Sequence, residues 1–319
     1  MSARLVRIDA IRQEAIDIRS FELADAQEMR LPRFTPGSHI DVRIRPGLVR
    51  QYSLCNGPEG NGRYLIAVKR ESNSRGGSHA MHDQVKVGDR LTISAPRNRF
   101  SLSATASHHL LLAAGIGVTP ILSMARHLAV GGASFQLQYF TRSADHTSFG
   151  ALLAEPQFKS KVSLNYGMGP DELTSYLQDL LRVAPGGAHL YMCGPRPFMD
   201  LVGSIAAQAW SSETVHHEYF STGPATHTGP DSAFRVRLAR SGVTLTVPEG
   251  RSIVEVLAEH DVGIETSCSQ GICGTCLTGV LEGVPDHRDA FLSADQKLRC
   301  DRMLPCVSRS KSETLVIDI

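Results

Sequence analysis

The sequence predicts a multidomain protein: an antiparallel β-barrel, then an α/β domain on a parallel sheet, then a small α+β domain around a cysteine loop. Three observations carry that expectation. Over the first hundred residues, short stretches of alternating apolar and polar residues are separated by turn signals such as Pro36-Gly37 and Pro46-Gly47, as in a small closed barrel. From about residue 107, apolar strands alternate with helical stretches, the signature of parallel strands joined by crossover helices. Near the C-terminus, Cys268, Cys273 and Cys276 follow the spacing C-x4-C-x2-C. A chain of 319 residues is long enough for two or three domains, with boundaries expected at 1–104, 105–224 and 231–319.

In the barrel region, Leu5–Ile11, Ile16–Leu23 and His39–Ile44 alternate, and further strands are expected at Arg50–Cys55, Tyr64–Arg70 and Arg90–Ser94. The strand Arg50-Gln51-Tyr52-Ser53 carries a guanidinium, an aromatic ring and a hydroxyl, and Arg50 and Tyr52 share one face. An arginine can hold a phosphate, a tyrosine can stack on a flat ring and a serine can hydrogen-bond a ring nitrogen; ordinary cross-strand packing also accounts for such a tetrapeptide. Ser74-Arg75-Gly76-Gly77-Ser78 opens a short helix reaching Val85. Its glycine-rich backbone suits either a terminal phosphate or a plain loop. No other segment clearly cradles an adenine, so a bound flavin would be FMN.

Strands at His109–Ala114, Phe135–Phe140, Val162–Leu164 and His189–Met192 alternate with helices near Pro120–Val130, Asp171–Leu181 and Pro197–Trp210. Ligands of such sheets bind at the carboxyl ends of the strands. Ala114-Gly115-Ile116-Gly117-Val118-Thr119-Pro120 stands at one such end, short of a full dinucleotide fingerprint. Cys193-Gly194-Pro195 stands at another and reads equally as a tight turn or a nicotinamide contact. After Phe135–Phe140, Arg142 can accept a 2′-phosphate whereas Asp145 favours free ribose hydroxyls, leaving NADH and NADPH both open there.

Thr222 to Pro230 is a proline, glycine and threonine run without periodicity, read as an interdomain linker. A hairpin at Phe234–Leu238 and Val243–Val247, a helix at Ile253–His260 and a closing strand at Leu315–Ile317 frame the cysteine loop. The loop spacing is that of a plant-type [2Fe–2S] cluster. Iron takes soft thiolate ligands, and Gly271 and Gly274 let the backbone approach the sulfurs. Structural zinc sites use two short cysteine hooks, of which only one is present. The fourth ligand comes from Cys300 or Cys306. Asp286, Asp289 and Asp295 either assist docking of a partner or form an ordinary solvated face.

Hydrophobic residues make up 42% and charged residues 20% of the chain, with net charge +1. This is the composition of a globular protein with no electrostatic pull toward nucleic acid or an anionic membrane. The longest apolar run, His109 to Val118, is too short to span a bilayer, and the N-terminus lacks the apolar core of a signal peptide. A cytoplasmic monomer with metal-bound or free thiols is expected.

Arg-Gln-Tyr-Ser, Ser-Arg-Gly-Gly-Ser, Gly-Ile-Gly-Val-Thr-Pro, Cys-Gly-Pro and the cysteine loop, in this order, resemble the phthalate dioxygenase reductase family over essentially the whole chain. The resemblance implies an FMN-binding barrel, an NADH-binding α/β domain and a plant-type ferredoxin domain passing electrons to a terminal oxygenase. It places Arg50, Tyr52, Ser53, Ala67, Val68 and Lys69 along the flavin, and Arg75, Gly76, Gly77 and Ser78 at its phosphate. Thr119 lies near the ring, and Phe220, in the run Glu218-Tyr219-Phe220-Ser221, shields it. Gly115, Gly117, Pro120, Arg142, Cys193, Gly194 and Pro195 are implied for the nucleotide, which the resemblance takes to be NADH. Tyr52, Ser53, Cys193 and Glu218 are the implied catalytic residues. Cys306, within Met303-Leu304-Pro305-Cys306-Val307-Ser308-Arg309, is implied as the fourth ligand beside Cys268, Cys273 and Cys276. Two other readings stand beside this one: an FAD-containing NAD(P)H reductase of another monooxygenase, and a redox-sensing iron–sulfur protein.

Overall fold

The structure, a computed structural model, describes residues 3–60, 62–74, 76–220 and 231–319. Arg75, Ser221 and the expected linker at 222–230 lie outside the described residues. The chain divides into two compact units, Met1–Glu218 and Tyr219–Ile319.

The first unit begins with strands β1 (Arg4–Ala15), β2 (Ile18–Asp25), β3 (Ser38–Arg45), β4 (Leu48–Ser53) and β5 (Tyr64–Lys69). Helix α1 (Gly77–Asp83) precedes β6 (Arg90–Ile93) and the short β7 (Arg97–Asn98). The sheet runs β4-β3-β6-β1-β2-β5, with β7 added to β3, and all these pairs are antiparallel. An isolated bridge between Leu54 and Ile66 joins the two ends, so the expected barrel closes. Alternation dictates the core: Val6 and Ile8, Phe21 and Leu23, Ile40 and Val42, Ile66 and Val68, and Leu91 and Ile93 are all buried, each pair two residues apart on its strand. Tyr64, also buried, donates its hydroxyl to the Pro32 carbonyl at 2.7 Å, so the ring fills the core without an orphaned polar atom.

The second layer of this unit comprises β8 (His108–Ala114), α2 (Val118–Val130), β9 (Phe135–Thr141), α3 (Gly150–Leu153), β10 (Val162–Tyr166) and α4 (Pro170–Arg182). It ends with β11 (Ala188–Cys193), α5 (Arg196–Ala206) and β12 (Val215–Glu218). Its order is β10-β9-β8-β11-β12, parallel throughout. Strand β12, Val-His-His-Glu, carries no apolar run by which sequence alone could identify it; it forms because β11 offers an open edge from Leu190 to Cys193. The two layers are joined by hydrogen bonds. The Ser123 hydroxyl donates to the Asn56 carbonyl at 2.8 Å, the Ser103 amide to the Tyr191 hydroxyl at 2.8 Å, and the Ile16 amide to the Asp145 carbonyl at 2.9 Å.

The second unit contains β13 (Phe234–Leu238), β14 (Thr244–Val247), α6 (Ile253–Glu259), β15 (Thr278–Glu282) and β16 (Pro285–Asp286). It continues through α7 (Ala294–Leu298), β17 (Arg302–Met303), β18 (Arg309–Ser310) and β19 (Thr314–Ile317). Its main sheet is β14-β13-β19-β15-β17, with β16 and β18 paired apart. Helices α6 and α7 both start with capping boxes, Ser252 with Glu255 and Ser293 with Gln296, each satisfying two N-terminal amides. Among the described residues no helix is long and apolar enough to cross a membrane.

Arg309 is the buried polar anchor of this unit. Its guanidinium donates to the carbonyls of Arg251, Ser232 and Pro248, the last two at 3.0 Å, and lies 5.0 Å from the centre of the Phe234 ring. Substituting Arg309→Met would remove the shared donor from these three carbonyls. Because the guanidinium joins three backbone carbonyls, the variant should lose about 1–3 kcal/mol of stability. Chemical denaturation followed by the cluster's visible absorption measures this loss.

Candidate functional site

Strand pairing brings the barrel and the parallel sheet to one point. Ser53 ends β4, Cys193 ends β11, and Glu218 ends β12 directly beside Cys193. The Ser53 hydroxyl donates to Glu218 Oε2 at 3.2 Å. Burial pushes the Glu218 carboxyl up to about 7, against a smaller opposing effect of the Ser53 hydrogen bond. The Cys193 thiol is held well above its ordinary value by burial and by the neighbouring carboxyl, so it is protonated and no free nucleophile. Tyr52 packs against the barrel core, and burial raises its phenol.

Around this junction lie the other expected residues of the first unit. Gly115–Gly117 forms one 3-10 turn leading into α2. A Cβ on Gly117 would lie 2.1 Å from the Cys193 carbonyl oxygen, so the loops after β8 and β11 meet backbone against backbone and only glycine fits. Thr119 and Pro120 are buried in the first turn of α2, and the Thr119 hydroxyl donates to the Ile116 carbonyl at 3.0 Å. Gly194 and Pro195 lead into α5.

On β5, Ala67 and Val68 are buried, and Lys69 pairs with Glu71 at 2.9 Å. Gly76 and Gly77 open α1, and a Cβ on Gly77 would come within 2.6 Å of Arg50 Cγ. Arg50 therefore lies across the glycine loop, a cradle suited to a phosphate on a flavin. Ser78 accepts from the Glu71 amide at 3.1 Å and donates to the Ser74 hydroxyl at 2.9 Å. Arg142 is exposed just beyond β9. Phe220 falls in the second unit. His39 was not among the expected residues: it sits opposite Ser53 across β3 and β4, a neighbour that only strand register reveals.

In the second unit Cys268, Cys273 and Cys276 are buried and Cys306 is half-buried. Cys273 contacts Cys268, which lowers the Cys273 thiol to about 5, and Cys276 is lowered by contact with Cys306. Among the described residues no three metal-ligating side chains converge on a single ion. The sulfurs contact one another in two pairs, Cys268 with Cys273 and Cys276 with Cys306, which is compatible with two thiolates per iron in a two-iron cluster.

The loop directs amides at its sulfurs: Gln270 N–H to Cys268 Sγ at 3.3 Å and Thr275 N–H to Cys273 Sγ at 3.4 Å. Such bonds stabilise thiolates. A Cβ on Gly271 would lie 2.5 Å from Val307 Cγ2, so the loop lies flush on the segment carrying Cys306. The donor set, the amides and the tight fit suit a [2Fe–2S] cluster. Cys300 is half-buried, with its sulfur 3.5 Å from the Lys297 carbonyl.

The acidic residues weighed for docking separate sharply. Asp286 and Asp289 are buried, where Asp286 accepts from Arg288 at 2.7 Å and Asp289 from the Leu292 amide at 2.7 Å. They brace the loop's surroundings, and Asp295 is the exposed member of the three.

Residues 5–102 match the oxidoreductase FAD-binding domain, 92–214 the DmmA-like N-terminal domain of a dimethylamine monooxygenase subunit, and 236–311 the 2Fe-2S iron-sulfur cluster binding domain. The chain is 44% identical to a vanillate O-demethylase oxidoreductase of Pseudomonas putida, over 98% of this chain and 100% of that one. It is 40% identical to a phthalate dioxygenase reductase of Burkholderia cepacia, over 98% and 97% of the two chains. A solved phthalate dioxygenase reductase, described as a modular structure for electron transfer from pyridine nucleotides to [2Fe–2S], superposes with a TM-score of 0.80 at 40% identity, covering 100% of this chain and 98% of that one. The chain belongs to the phthalate dioxygenase reductase family and is an oxidoreductase, the reductase component of an oxygenase system.

Proposed function

We propose that the chain oxidises NADH with a bound FMN and delivers single electrons through a [2Fe–2S] cluster to a Rieske-type oxygenase acting on an aromatic or similar small substrate. The observation that carries this reading is the Ser53–Glu218 hydrogen bond, which joins the barrel strand and the parallel sheet at one partly buried point. The flavin supplies the change from hydride to single-electron chemistry, and the cluster carries the electrons one at a time.

The protein's own residues supply binding and proton control. Arg50, Gly76, Gly77 and Ser78, with Arg75, hold the phosphate, and Tyr52, Ala67, Val68, Lys69, Thr119 and Phe220 border the ring. Gly115, Gly117, Pro120, Arg142, Gly194 and Pro195 hold the nucleotide, with Cys193 a small, neutral thiol beside it. Ser53 and Glu218 hold and pass a proton. Cys268, Cys273, Cys276 and Cys306 are the proposed cluster ligands. The domains are taken as 1–104, 105–224 and 231–319. Thiolate cluster ligands fit a reducing cytoplasm, and the chain is proposed to act as a monomer.

The match of residues 5–102 to an FAD-binding domain favours a second reading, with FAD as the flavin. Chromatography of heat-released flavin separates the two, with FMN expected. Catalytic efficiency with NADH should exceed that with NADPH, measured in the same preparation.

Cys306→Ser should abolish the cluster's visible absorption, whereas Cys300→Ser should retain it; the reverse pattern would overturn the ligand assignment. A carboxyl with its midpoint near 7 is protonated below that pH and ionised above it. If Glu218 supplies a proton, NADH oxidation should slow as pH rises through about 7. Glu218→Gln should then be slower on the order of 100-fold and lose that pH dependence, as stopped-flow flavin reduction would show.

A further inference from the structure

His39 is the buried group beside this junction to which the proposed reaction assigns no role. It is 5% exposed and lies directly across from Ser53. Its Nδ1 faces Glu218 Oε1 at 4.0 Å, while Ser53 occupies the other carboxyl oxygen at 3.2 Å. Among the described residues its Nε2, also buried, has no hydrogen-bond partner. A buried N–H without an acceptor is costlier than a bare ring lone pair in the same place. The imidazole proton therefore belongs on Nδ1, the nitrogen aimed at the carboxyl.

We propose that His39 is a positioning residue for Glu218: as a neutral imidazole protonated on Nδ1, it donates to the carboxylate when Glu218 ionises and so sets that group's proton affinity. The 4.0 Å gap suits a carboxyl that still holds its proton and makes no demand on the donor; the negative charge that appears on ionisation draws the N–H in. The surroundings keep the ring neutral. Arg97, on β7, and Arg99 beyond it face His39, and burial together with these guanidiniums lowers the imidazole to about 4, against the opposing effect of Asp41 on β3. Arg97 is itself paired with Asp41 at 2.6 Å. Glu218 is faced by Ser53 from β4, Cys193 from β11 and His39 from β3. A neutral donor stabilises the ionised form, so His39 holds the Glu218 midpoint lower than burial alone would.

The inference rests on reading Glu218 as the proton-holding group, yet its tests need no turnover. Nitrogen NMR of the holoenzyme with isotope-labelled histidine should show His39 protonated on Nδ1 and bare on Nε2; an Nε2–H tautomer, or an imidazolium at neutral pH, would overturn the proposal. Infrared titration of the same holoenzyme reads the protonated carboxyl band, identified as Glu218 by its loss in Glu218→Gln. His39→Leu should move that midpoint up by about one pH unit. His39→Asn, whose amide can present an N–H from the Nδ1 position, should restore it. An unmoved midpoint in His39→Leu, or a shift in His39→Asn as large as in His39→Leu, would refute the role. Should Glu218→Gln instead turn over at the full rate, the proton role of Glu218 in catalysis fails, while the tautomer and titration results still decide the part of His39.

Discussion

One side-chain hydrogen bond, from Ser53 to Glu218, ties the barrel of the first unit to its parallel sheet. The serine is fixed by the antiparallel register of β4 on β3, and the glutamate by the parallel register of β12 on β11. Neither sheet by itself can build the pair. A carboxyl buried there resists ionisation, so it holds a proton near neutrality. A group with its proton affinity near neutrality is suited to acid–base work, and that is the role proposed for it. The backbone contact of Gly117 on Cys193 keeps the loops after β8 and β11 together at the carboxyl end of the sheet, where parallel sheets bind their ligands.

The cysteine loop follows a different logic. Its sulfurs contact one another in two pairs, its amides point at sulfur, and its Gly271 seats it on the Val307 segment without space for a side chain. Support comes from buried polar residues. Asp289 accepts the Leu292 amide, and the Ser308 hydroxyl lies 3.4 Å from the same carboxylate. Such preorganisation suits sulfurs that would hold a cluster through a change of charge, because the dipoles around them are already oriented. It also explains why Asp286 and Asp289 are unavailable to a partner: both are committed to interior hydrogen bonds.

The amino-acid sequence by itself determined the kind of protein this is. Period-two alternation marked the barrel strands because one face of each is buried, and the change to apolar strands between helices marked the parallel sheet. Cysteine spacing marked the cluster loop because ligand geometry constrains how many residues can lie between sulfurs. The motifs from Arg50 to Cys306, taken in order, identified the family.

Other features were decided only by tertiary structure, because they depend on register and burial. Strand β12 carries two histidines and no apolar run, and it exists through the open edge of β11. His39 reads as an ordinary barrel residue until pairing sets it against Ser53 and brings it to Glu218. The acidic residues near the cluster read alike in sequence, yet burial assigns two of them to the interior and leaves Asp295 at the surface. The proton affinity of Glu218 was likewise fixed by the fold: a carboxyl's chemistry is written in its residue type, but the cost of its charge depends on what surrounds it.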